Sequence, residues 1–86
     1  MDLATLREEI DAVDSQMLQL FLERMRIGEQ IAAEKRESAL PVLNKERERE
    51  ILARVQAEAG EMEPYAYQLI TTLIEMNKAR QSQINA

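Results

Sequence analysis

From Leu3 to about Ser38 the sequence keeps a helical apolar repeat that contains no proline and a single glycine, Gly28, and this constrains the fold more than any other feature. The stripe runs Leu3, Leu6, Ile10, Val13, Met17 and Leu20, at the three- and four-residue steps that one face of a helix requires. At about 1.5 Å per residue such a helix is a rod of about 50 Å. That is longer than a chain of 86 residues needs for a compact unit. The segments that remain are too short to cover it, so the rod calls for a partner, in the simplest case a second copy of itself.

Two shorter helices are expected after it. Leu40-Pro41-Val42 breaks the repeat, because proline lacks an N–H and biases the residue before it toward extended backbone. Asn44 suits the N-cap of a helix through Lys45, Arg47, Glu48, Ile51, Leu52 and Val55 that ends at Gly60. Pro64 suits the first residue of a third helix carrying Leu69, Ile70, Leu73 and Ile74, and the tail Ile84-Asn85-Ala86 is expected to fray. Period-two alternation, internal repeats and low-complexity segments are missing from the sequence. The expectation is an all-α fold, one domain over residues 1–86, with one long and two shorter helices.

Composition narrows the function. A net charge of -5 argues against nucleic acid or an anionic membrane as partner, since both need a cationic surface. Without Cys or His there is no thiolate, no imidazole and no ordinary zinc ligand set. The five Met residues read as gap-filling core rather than as a metal site. Met1 and Asp2 lead straight into the amphipathic repeat, so neither a targeting segment nor a membrane span is expected and the cytoplasm is the expected compartment.

The stripes are interrupted by polar groups where a plain core would want Leu or Ile. The first continues through Arg24, Gly28, Ile31 and Lys35. Glu48 stands one turn before Ile51, Leu52 and Val55, and Tyr67, Ile70 and Ile74 lead directly into Asn77 and Gln81. Burying such groups costs several kcal/mol unless they are paired, and a small anion held between helices would pair them. Taken singly, each has an ordinary explanation. Arg24 could snorkel to the surface beside Glu23, and Lys35 could be solvated near its helix end. The run of alternating charges from Lys45 to Glu50 could be a salt-bridged face, Asn77 and Gln81 could set helix register, and Arg7 could pair with Asp11. Their coincidence on three helices, in charge types that complement carboxylates, favours binding.

Arg24 and Lys35 project from one face about 16 Å apart along the axis, which leaves room for a small, doubly charged molecule between their side chains. Arg7 stands about 25 Å from Arg24 and about 100° round the rod. If Arg7 contributes to the same pocket it must come from an antiparallel neighbouring rod, and the site would then be shared between two chains. Arg47 points about 100° away from Glu48 and suits the pocket edge. Cations, amides and one carboxylate without an obvious nucleophile suit binding and electrostatic stabilisation rather than covalent catalysis.

Leu6-Arg7 with Ile10-Asp11 and Asp14, then Glu23-Arg24, Lys35, Pro41-Val42, Arg47-Glu48-Arg49-Glu50 with Ile51-Leu52, and finally Ile74-Glu75, Asn77 and Gln81 form an ordered set. Over nearly its whole length the chain thereby resembles the all-helical class of chorismate mutases. The resemblance implies an intertwined homodimer of three-helix chains, with two pockets each completed by the partner subunit's Arg7. It also implies a cofactor-free and metal-free Claisen rearrangement of chorismate to prephenate, on the route to phenylalanine and tyrosine. In that family Arg7 and Arg24 would bind the two substrate carboxylates, and Asn77 would add a hydrogen bond where Ser is frequent. Lys35 and Gln81 would reach the ether oxygen, Glu48 would take the ring hydroxyl and Arg47 would support the site. Asn44 stands where the family commonly has Asp, and its contact is expected through the backbone N–H. Two rivals are a lyase of the same fold that eliminates pyruvate from isochorismate, and a non-enzymatic dimerisation module whose polar interruptions set register.

Overall fold

A computed structural model describes residues 2–41 and 44–84. Helix α1 spans Leu3–Glu37, α2 spans Lys45–Ala59 and α3 spans Glu63–Ile84, with a one-turn 3-10 segment over Gly60–Met62. Among the described residues there is no strand.

The helix ends follow from local chemistry. Asp2 caps α1 by accepting the Thr5 N–H at 2.7 Å, and the same bond holds its carboxyl below the usual range. At the other end Leu40 N–H donates to Lys35 O at 2.8 Å and Ala39 N–H to Arg36 O at 3.2 Å. This is the six-to-one and five-to-two pattern that closes a helix through a left-handed residue. Ala39 takes that position with φ 55. Asn44 caps α2 as expected, accepting the Arg47 N–H at 3.0 Å. Glu46 and Glu48 place negative charge in the first turn, where the helix dipole favours it.

Three points differ from expectation. Instead of three separated helices there are two uninterrupted helical stretches, 3–37 and 45–84, because α2 passes into α3 through the 3-10 turn. Gly60, at φ 58 and ψ -131, supplies the change of direction without leaving helical hydrogen bonding for long. Pro64 is the second residue of α3, behind Glu63. Ile84, part of the tail expected to fray, is the last helical residue; it is half-buried, and its carbonyl accepts a hydrogen bond from the Arg36 guanidinium. Val42, Asn85 and Ala86, also covered by those expectations, lie outside the described residues.

Among the described residues α1 and α2 each pack on α3 and not on each other. Along the α1–α3 seam the pairs climb together, from Arg24 with Leu73 to Glu29 with Arg80 at 2.9 Å and Arg36 with Ile84, so the two helices run parallel. The principal extents are 54 × 24 × 14 Å and the radius of gyration is 16.0 Å, against about 12 Å for a compact chain of this length. Among the described residues only Ala32 and Ile74 are buried apolar side chains. The expected stripe on the first half of α1 is present and uncovered, with Leu3 60%, Ile10 59% and Leu20 64% exposed. Tyr67, expected on the buried stripe of α3, is exposed as well.

Candidate active site

Between α1 and α2, floored by α3, lies a hollow of about 420 Å³, within the range of about 300–1,000 Å³ typical of small-molecule sites. Arg24 and Lys35 face it from α1, Asn44, Arg47 and Glu48 from the start of α2, and Asn77 and Gln81 from α3. Ile27, Ile31, Ile51 and Ile74 form its apolar walls. Of the residues singled out from the sequence, Arg7 alone is not among those lining it; Arg7 is exposed on the first half of α1.

The floor is built from two buried amides one turn apart. Asn77 is 8% and Gln81 7% exposed. The Oδ1 of Asn77 accepts a hydrogen bond from Arg24 Nη1, which also donates to Leu73 O at 3.3 Å. Arg24 therefore does not snorkel toward Glu23; it reaches across the seam to α3. Burial draws its guanidinium below the ordinary arginine range, although a group that starts so high stays charged near neutral pH. The opposite end of the Asn77 amide rests 3.5 Å from Met25 Sδ. Gln81 Oε1 is buried without a hydrogen-bond partner. An orphan acceptor of this kind costs about 1–3 kcal/mol.

The α2 wall carries the one carboxylate. Glu48 is half-buried and pairs with Lys78 of α3 at 3.5 Å, while Lys78 also reaches Glu75 at 3.0 Å. The Glu75 hydrogen bond leads the influences that raise the Lys78 ammonium above its ordinary value, against some desolvation. Arg47 pairs with Glu50 at 3.1 Å on the exposed rim. The side-chain oxygen of Asn44 is engaged in capping α2.

Sequence reasoning missed two residues of this site. Lys78 lines the hollow as a fourth cation beside Arg24, Lys35 and Arg47. Gly28, noted in the sequence as one step of the interrupted stripe but given no role at the site, gives Asn77 its space: a Cβ there would meet the Asn77 amide nitrogen far inside van der Waals contact. The use of Lys78 depends on the approach of α2 and that of Gly28 on which residue of α3 lies opposite, and neither can be read from local sequence.

Arg24 also borders a second, apolar groove of about 580 Å³ formed by Met17, Leu20 and Phe21 of α1 with Leu69, Leu73 and Met76 of α3. Among the described residues no group of three or more His, Cys, Asp or Glu could hold a metal ion, and no helix is long and apolar enough to cross a membrane.

Comparison with known proteins bears on this site. The sequence profile of the family described as chorismate mutase type II matches residues 6–82. A curated protein of Methanocaldococcus jannaschii named chorismate mutase is 33% identical over 84 residues, covering 94% of this chain and 85% of that protein. A bifunctional chorismate mutase/prephenate dehydratase of Aquifex aeolicus is 39% identical over 54 residues, which is 63% of this chain and 15% of the longer protein. No solved structure matches the chain.

Proposed function

Because this chain belongs to the type II chorismate mutase family, we propose that the hollow between α1 and α2 is where chorismate rearranges to prephenate. The activity is that of an isomerase, a chorismate mutase. The observation that carries the assignment of the site is the convergence of Arg24, Lys35 and the buried amide of Gln81 on one hollow, in a chain with neither Cys nor His.

The reaction needs no more than that inventory. In one concerted step the ether C–O bond breaks while a C–C bond forms between the enolpyruvyl methylene and the ring, with no proton moved and no covalent enzyme intermediate. The barrier lies in folding the flexible arm over the ring and in the negative charge that grows on the ether oxygen. Arg24 and the partner subunit's Arg7 hold the two carboxylates and so fix the folded conformer before reaction. Lys35 and the NH₂ end of Gln81 donate to the ether oxygen, where charge develops mainly in the transition state. Glu48 accepts from the ring hydroxyl, Arg47 closes the rim, and Asn77 both holds Arg24 and lies beside the carboxylate it binds. No cofactor or metal takes part.

The functional unit is an intertwined homodimer of single-domain chains. The uncovered stripe from Leu3 to Leu20, the apolar groove beside Arg24 and the excess radius of gyration all support it. A second α1 laid antiparallel over the groove would bring its Arg7 toward Arg24, as the separation of the two along the rod requires. The enzyme works in the cytoplasm, on the route to phenylalanine and tyrosine.

The test is to incubate the purified chain with chorismate and with isochorismate in parallel. Prephenate from chorismate supports the assignment. Pyruvate release from isochorismate alone would give the site to the lyase, and inertness toward both would leave the dimerisation module.

A further inference from the structure

A carboxylate inside a hollow built for a dianion is a liability. Glu48 shares its walls with Arg24, Lys35 and Arg47, and left to itself it would be drawn to the cations that substrate carboxylates must reach. The structure shows what Glu48 does instead. Its Oε2 faces Lys78 Nζ at 3.5 Å across the α2–α3 seam, with the two side chains 26% and 27% exposed. Lys78 is in turn held from behind by Glu75 on its own helix at 3.0 Å. The helix gives this arm its place: Lys78 is one residue past Asn77 and three before Gln81, so it rises from the same floor on the side toward α2. Arg47, the cation nearest to Glu48 in sequence, is engaged with Glu50 on the rim.

We propose that Lys78 is a positioning residue for the mutase reaction, tethering Glu48 at the hydroxyl end of the hollow and keeping its charge away from the dianion-binding cations. The inference rests on the proposed contact between Glu48 and the ring hydroxyl. Although it lines the hollow, Lys78 acts through Glu48 rather than on a reacting atom. The ring hydroxyl is not a reacting atom, so its contact is made alike in bound substrate and in transition state. Losing it raises KM and spares kcat. Glu75, 63% exposed at its side chain, orients Lys78 more weakly, as solvated pairs do.

The experiment measures kcat and KM for chorismate in Lys78→Met, Lys78→Arg, Glu48→Gln and the double variant Glu48→Gln/Lys78→Met, with helix content followed by circular dichroism. Lys78→Met is expected to raise KM about tenfold with kcat within about twofold, and Lys78→Arg to restore KM to within about threefold of the parent. In the Glu48→Gln background, Lys78→Met should change KM by less than about twofold, because its partner's charge is already gone. An equal loss from Lys78→Met in both backgrounds would overturn the inference and leave the role of Glu48 standing. A Glu48→Gln variant with unchanged KM would overturn the hydroxyl contact itself and the inference with it. Loss of helix content in Lys78→Met together with failure of Lys78→Arg to restore KM would show a structural role and also overturn it.

Discussion

The carboxamide of Asn77 occupies the space that a Cβ on Gly28 would need, and from there it accepts the guanidinium of Arg24. A glycine in the middle of a helix costs about 0.5–1 kcal/mol relative to alanine, so α1 trades some helix stability for an oriented cation. Gly28→Ala puts a methyl against the amide and drives Asn77, and with it Arg24, out of place. Mutase activity should fall at least about tenfold, with destabilisation of about 1–3 kcal/mol from overpacking. Asn77→Ser shortens the side chain, so Gly28→Ala/Asn77→Ser should regain part of the loss. Steady-state rates of the two single variants and the double variant check this, and purely additive losses would refute the coupling.

If the pocket draws Arg7 from one subunit and Arg24 from the other, neither Arg7→Ala nor Arg24→Ala homodimers have an intact site. Mixing the two proteins and allowing subunits to exchange gives hybrids with one complete pocket each. At equal amounts half of the dimers are hybrids with one good site in two, so activity should recover to about a quarter of the parent value. No recovery after verified exchange would place both arginines in the same chain's site.

Ala39 holds a left-handed φ of 55 at the end of α1, where closure of the helix requires it and where glycine has no steric cost. Ala39→Gly should raise unfolding free energy by about 0.5–1 kcal/mol, read from urea denaturation at fixed protein concentration. Because Lys35 O accepts the closing bond, the variant should leave the Lys35 backbone, and hence KM, unchanged. A destabilised variant would contradict this account of the cap.

The helices were legible in the sequence because their signals are local. The Leu3-to-Leu20 stripe and the Asn44 cap act within a few residues, and the structure places both as the pattern implies, whereas Gly60 ends α2 without ending the helical stretch. The candidate site was legible as far as polar residues interrupted an apolar stripe, which singled out Arg24, Lys35, Glu48, Asn77 and Gln81 at one hollow. Lys78 escaped because beside Glu75 it reads as a solvated pair three residues apart, and only the approach of α2 turns it toward Glu48. Gly28 escaped because its use depends on a residue of another helix. The continuous passage from α2 to α3 escaped because Gly60 and Pro64 announce a stop and a start but not the 3-10 turn that joins them.

Lys35 and Gln81 carry the central claim, that the hollow accelerates the rearrangement by stabilising charge on the ether oxygen. Removing a preorganised donor of this kind costs about 3 kcal/mol, or about 10²-fold in rate. The direct measurement is kcat and KM for chorismate in purified Lys35→Ala and Gln81→Ala, with melting temperature as the control for folding. A kcat lower by about 10²-fold or more, in variants that still melt cooperatively, is the expected result. Near-parental kcat in either folded variant would contradict it.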